Sequence, residues 1–219
     1  MLLEVRDLVA GYGDLEVIGP LSFGLNDGDI LVVYGPNGVG KSTLLKTLAT
    51  ILKPLRGAVL LMGEDAVKHR EEIFYVPESI TLPERLKVRD YLNVVSLLYN
   101  GGDIDEALKI VSLPGDVRVN TLSQGLRRRL QLASVFVARA RVYIIDDPTV
   151  GLDDYAAEHL VPSILGEVAR RGTLIVSTKE RRLTEAIGAL KNVKMLNALE
   201  YSRVAGPQRA FTQTSTQQD

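Results

Sequence analysis

The chain has 219 residues, 26 of them Lys or Arg and 27 Asp or Glu, with 46% apolar and 24% charged residues. That length and balance fit one sizeable soluble domain, or one with an inserted lobe, able to bury a core without metal or disulfide staples. The net charge of -1 argues against a dedicated nucleic-acid binder, and the lack of cysteine excludes disulfides, thiol catalysis and cysteine–zinc sites.

Met1 to Ala10 alternates charged and apolar residues, unlike a signal peptide. Residues 2–25 read as short strands broken by Gly11, Gly13, Gly19, Pro20 and Gly24, an antiparallel piece. Ile30 to Tyr34 is a continuous apolar run, expected of a strand covered on both faces. Leucines at 44, 45, 48 and 52 predict a helix from Lys41 to Leu52. Ala58 to Met62 and Ile73 to Val76 are further strand candidates. The pattern then turns helical from about Glu78 to Leu130, with helices expected at Val88 to Tyr99 and Ile104 to Leu113. Strand signals return at Val142 to Ile145 and Leu174 to Ser177, around a helix from Asp154 to Arg171 that Pro162 either kinks or begins. The longest apolar runs are strand-sized and far short of a membrane span. Gly206 to Asp219, rich in Gln, Thr and Ser, reads as a poorly ordered tail or a partner-binding peptide. Alternation of strand and helix outside the central stretch predicts an α/β fold with a mainly parallel sheet, an N-terminal antiparallel β piece and an inserted helical lobe.

Gly35-Pro36-Asn37-Gly38-Val39-Gly40-Lys41-Ser42-Thr43 matches the phosphate-binding pattern G-x-x-x-x-G-K-[ST], placed after a buried strand and before a helix. The glycines let successive backbone N–H groups turn toward phosphate oxygens, and the helix N-terminus adds partial positive charge. Lys41 is suited to neutralise the β and γ phosphates, and the Ser42 hydroxyl to ligate Mg²⁺. Chance gives such a match in about one chain in a hundred of this length.

Arg141-Val142-Tyr143-Ile144-Ile145-Asp146-Asp147 is an apolar strand ending in two carboxylates, of which Asp146 could hold Mg²⁺ directly or through water. Between these two motifs lies Leu122-Ser123-Gln124-Gly125-Leu126-Arg127-Arg128-Arg129. Taken alone it is a helix N-cap, with the three arginines forming a solvated or ion-paired helix surface. In this order the motifs resemble those of the ATP-binding cassette (ABC) ATPases, over about residues 1–205. The family signature Leu-Ser-Gly-Gly-Gln stands here as Leu-Ser-Gln-Gly-Leu, so Ser123 and Gly125 are kept while Gln124 and Leu126 depart. The resemblance implies that Ser123 and Gly125 of one subunit cover the γ-phosphate held by a second. It puts Tyr12, otherwise a turn tyrosine, where an aromatic ring stacks on adenine, and makes Pro148 to Asp153 the loop that contacts the opposite subunit.

Three positions depart from the family. Asp147 stands where Glu is usual as general base, shorter by one methylene and about 1.5 Å of reach. A misplacement of that size commonly costs about a hundredfold, so slow hydrolysis is expected. Lys179 stands at the switch histidine, where it either attracts the γ-phosphate or is a solvated strand-end lysine. Glu78 replaces the glutamine at the entry to the helical lobe and could reach Mg²⁺. His69 and His159 are expected on the surface.

The resemblance thus implies a core from residues 1–77 and 131–205, a helical signature lobe at 78–130 and the tail at 206–219. It implies ATP and Mg²⁺ as ligands, with Asp147, Lys41, Glu78 and Lys179 serving catalysis. Tyr12, Gly35, Asn37, Gly38, Val39, Gly40, Lys41, Ser42, Thr43, Ser123 and Gly125 hold nucleotide, and Ser42, Asp146 and Glu78 the metal. The expected partners are a second ABC subunit and integral-membrane transporter subunits, with no nucleic acid. That places the chain in the cytoplasm at the inner face of the cell membrane. The alternatives are an ATP-gated dimer switch with negligible turnover and an ABC protein not coupled to transport.

Overall fold

The computed structural model describes residues 1–204; the expected tail at 206–219 lies outside them. Strands β1 (Leu3–Tyr12) and β2 (Leu15–Leu25) form an antiparallel hairpin, joined by a turn in which Gly13 takes φ +55°. Gly13 does separate the strands, but β1 runs through Gly11 and β2 through Gly19, Pro20 and Gly24, which were expected as breaks. At Gly11 a Cβ would stand 1.9 Å from the Leu15 carbonyl oxygen, so glycine there permits close pairing and does not end the strand. With β3 (Ile30–Tyr34) set aside in the second sheet, β4 (Arg56–Leu61) and β5 (Glu64–Asp65) complete an antiparallel sheet of order β2-β1-β4-β5.

The second sheet is parallel and built from β6 (Ile73–Val76), β7 (Val142–Ile145), β8 (Thr173–Thr178), β3 and β9 (Val193–Asn197), in that order. Side chains alternate between its faces, as the strand period requires. Ile30, Val32, Phe74, Val76, Tyr143, Ile145, Leu174 and Val176 join one apolar cluster. Leu31, Val33, Ile73, Val142, Ile144 and Ile175 join the other. The first is covered by helices α2 (Val88–Leu98), α3 (Ile104–Val111), α4 (Gln124–Val137), α5 (Val161–Ala169) and α6 (Arg181–Gly188). The second is covered by α1 (Lys41–Leu48) and the antiparallel sheet. This explains why β3 reads as an unbroken apolar run: it is buried on both faces.

The helix expected from Asp154 to Arg171 is shorter in regular α form. A wide turn over Ala156–Leu160, in which the Val161 N–H donates to the Ala156 carbonyl five residues back, precedes α5. Pro162 sits in the first turn of α5, where its missing N–H removes no interior bond. The boundary drawn at residue 130 falls inside α4. Neither α6 nor β9 is foreshadowed by the sequence pattern. Leu174 of β8 is fully buried beneath the helical layer. Leu174→Ala should therefore lower unfolding free energy by about 2–5 kcal/mol, read as a shift of the urea midpoint by circular dichroism.

Candidate functional site

Parallel strands end on the same side, and the expected site residues follow those ends. Tyr34 of β3 leads into the 35–43 loop, Val76 of β6 precedes Glu78, Ile145 of β7 precedes Asp146 and Asp147, and Thr178 of β8 precedes Lys179. A cavity of about 530 Å³ lies there, lined by Tyr12, Asn37, Gly38, Gly40, Lys41, Ser42, Thr43, Glu78, Asp146 and Asp147. Leu15, Val17 and Val204 also line it, none of which the sequence pointed to.

The loop owes its shape to backbone that side chains resist. Gly40 has φ +102°, and a Cβ there would stand 2.9 Å from Val17 Cγ1. It is also the residue before α1, and no side chain caps that helix. The first-turn N–H groups are thus left for an anion in the cavity. Lys41 is buried, its ammonium donating to the carbonyls of Gly35 at 2.8 Å and Pro36 at 2.9 Å, which fixes it across the loop. Burial draws the Lys41 pKa down, while Asp147, Asp146 and Glu78 oppose that shift. The Val39 side chain is buried in the apolar layer, leaving its backbone to the loop.

Both oxygens of Asp146 are engaged, by the Ser177 hydroxyl at 2.5 Å and the Tyr75 hydroxyl at 3.3 Å. Burial raises the Tyr75 pKa first of all, and the charge of Asp146 and its hydrogen bond raise it further. Asp147 takes φ +38°, and its N–H donates to Ser177 Oγ at 3.0 Å. Burial pushes the Asp147 carboxyl pKa up; Glu78 and Glu180 push the same way, against the Thr149 hydroxyl and Lys179. The Thr149 hydroxyl lies 3.2 Å from Asp147 Oδ1 and 2.7 Å from Glu180 Oε1. Lys179 is exposed and does not line the cavity, yet it is close enough to influence both Lys41 and Asp147.

Ser123 and Gly125 stand outside this cavity, at the start of α4. The Ser123 hydroxyl caps the helix by accepting from the Leu126 N–H at 3.3 Å. A Cβ on Gly125 would stand 3.3 Å from the Gly151 carbonyl oxygen, so the signature meets the loop after Asp147 within one chain. Among the described residues no three His, Asp or Glu side chains converge as a metal centre. The hard oxygens of Ser42, Asp146 and Glu78 in one cavity suit a magnesium ion whose other ligands are phosphate and water. Because Asp146 is already bonded through both oxygens, it fits that ion better through water.

The reading of the arginines as a surface run is corrected at Arg128. Its side chain is fully buried, and all three of its guanidinium nitrogens donate to oxygens. The Nε donates to Pro148 O at 3.2 Å, and Nη1 to Pro77 O at 2.7 Å and Gln131 Oε1 at 2.6 Å. The Nη2 group donates to Asp146 O at 2.9 Å and Asp147 O at 2.7 Å. Burial lowers the Arg128 pKa to about 10, although Asp147, Asp146 and Glu78 favour the cation. Helical spacing carried the signal: Arg128 shares a face with Gln131, Leu132 and Val135, all buried. Arg127 and Arg129 do form ion pairs, with Glu84 and Asp153. Of the two histidines, His159 is exposed and His69 is partly covered, near Glu64.

Removing the guanidinium would orphan several buried carbonyls at once. Arg128→Met should cost about 3 kcal/mol or more by urea unfolding, and Arg128→Lys should not restore it, because one ammonium cannot span five acceptors.

The ABC transporter family model matches residues 18–150. The cytochrome c biogenesis ATP-binding export protein CcmA of Paracoccus denitrificans (strain Pd 1222) is 35% identical over 214 residues, covering 96% of this chain and 99% of that protein. CcmA of Ruegeria sp. (strain TM1040) is 36% identical over 179 residues, covering 81% and 84%. Among solved structures, an ABC transporter ATP-binding protein from Pyrococcus furiosus superposes with a TM-score of 0.82 at 36% identity, covering 92% of this chain and all of that one. The phosphate loop, the paired carboxylates and these likenesses agree: the chain belongs to the ABC transporter family, as an ATP-binding ATPase subunit.

Proposed function

We propose that the cavity holds MgATP, with its triphosphate on the Gly35–Thr43 loop and its base beside Tyr12. Two such chains close on two nucleotides, and the motion drives separate membrane-spanning subunits. The observation that carries this reading is the meeting of Lys41, Ser42, Asp146 and Asp147 in one cavity at the uncapped start of α1. Lys41 and the backbone N–H groups bind the β and γ phosphates. Asp147 would accept the proton of the water that attacks the γ-phosphorus as the bond to the β-phosphate oxygen breaks, and burial, which raises its pKa, suits it to that role. Ser42, Asp146 and Glu78 would hold Mg²⁺ beside the phosphates, where the ion would supply charge neutralisation. Ser123 and Gly125 face the nucleotide of the second subunit.

Partner subunits follow from the relatives, which are named as ATP-binding export proteins. Among the described residues no helix is long and apolar enough to cross a membrane. Helix α2 also leaves Val94, Leu97 and Leu98 exposed on one face, an apolar surface for such a subunit. The chain would then work at the cytoplasmic side, held there by those subunits.

Two measurements test the reading. Lys41→Ala should weaken ATP binding by about tenfold or more in a calorimetric titration; unchanged affinity contradicts the site. Steady-state hydrolysis should be slow and should rise with Asp147→Glu, because the longer side chain restores reach. Brisk wild-type turnover that the substitution fails to raise contradicts the role of Asp147. If turnover is negligible while ATP still drives dimerisation in light scattering, the chain is an ATP-gated switch.

A further inference from the structure

The open edge of β2 is covered by the far end of the described chain. Ser202 forms an antiparallel bridge with Ile18, and the Arg203 N–H donates to the Val17 carbonyl at 2.9 Å. The Arg203 guanidinium donates to the Gly19 carbonyl at 2.8 Å and to Glu16 Oε2 at 2.5 Å. Glu16 is held in turn by Arg56 at 2.8 Å. Four contacts on successive residues thus lay residues 202–204 along β2 as a short strap. Just upstream, Ala198 and Leu199 reach the start of the phosphate loop: a Cβ on Gly35 would stand 3.6 Å from the Leu199 N and 3.7 Å from Ala198 Cβ.

Val204, the next residue, lines the same cavity as Tyr12, Leu15 and Val17. These four supply apolar surface, whereas Lys41, Ser42, Glu78, Asp146 and Asp147 supply the charged end. Val17 joins the two regions by packing against Gly40. Val204 and Leu15 remain partly exposed, so a planar apolar group entering there would gain contact and desolvate both.

We propose that the Arg203–Val204 strap is a wall of the base subsite: Val204 contacts the nucleotide's adenine, and Arg203 fixes Val204 in place. This rests on the cavity being the ATP site. It makes Val204 a determinant of affinity for the base and Arg203 a positioning residue, neither of them touching the phosphates.

The test compares ATP with inorganic triphosphate, both with Mg²⁺, by calorimetry on the full chain. Val204→Ala and Arg203→Ala should each weaken ATP by about three- to tenfold and leave inorganic triphosphate unchanged. Val204→Ile should retain wild-type ATP affinity. The proposal is overturned if both alanine variants bind ATP within twofold of wild type, or if they lose ATP and inorganic triphosphate in parallel. A wild-type chain that binds neither ligand removes the underlying site reading, an outcome separate from failure of the strap alone.

Discussion

A single buried cation, Arg128, ties together the strand ends that carry the candidate site. Burying a guanidinium costs several kcal/mol unless every donor is met. Arg128 meets that condition only because two chain segments bring carbonyls to one point: Pro77 before Glu78, and the run Asp146, Asp147 and Pro148. Gln131, one turn on, reinforces the junction by donating to Pro77 O at 3.2 Å and Ser79 O at 3.0 Å. The helix carrying both residues begins at Ser123. A displacement of the Ser123 end of this helix would therefore pull on the backbone beneath Asp147 and Glu78.

The layers make that junction useful. Because the β6, β7, β8 and β3 ends lie together, the charged groups they carry share one small volume. Two lysines and three carboxylates sit within mutual influence there, and the consequences are opposite for the two central residues. Burial pulls Lys41 down against Asp147 and Asp146, and pushes Asp147 up against the Thr149 hydroxyl and Lys179. The chain's near-zero net charge conceals this arrangement. On the proposed reading, an added polyanion would change this balance, so nucleotide binding and the state of Asp147 would be coupled.

Much of this was legible in the residues. β3, β6 and β7 match the continuous apolar runs, because strands buried on both faces admit little else. The phosphate loop and the carboxylate pair were legible because their chemistry demands particular residues at fixed spacing. Other features were not. The glycines of β1 and β2 look like breaks until the close pairing of the hairpin shows why no Cβ fits. β9 is an edge strand with Lys194 and Met195 exposed, so its apolar pattern is weak. Three adjacent arginines resemble a solvated face, and only their position on the helix separates Arg128 from its neighbours. The strap at Arg203 and Val204 depends on contacts nearly two hundred residues away in sequence, and no local pattern announces it.

Hydrogen exchange with and without a non-hydrolysable ATP analogue, read by mass spectrometry, tests the central claim most directly. If Arg128 couples the segments, nucleotide should slow exchange together in residues 35–43, 76–79, 146–150 and 123–128, and Arg128→Lys should confine the effect to 35–43. Protection limited to the phosphate loop in the wild-type chain would contradict the account.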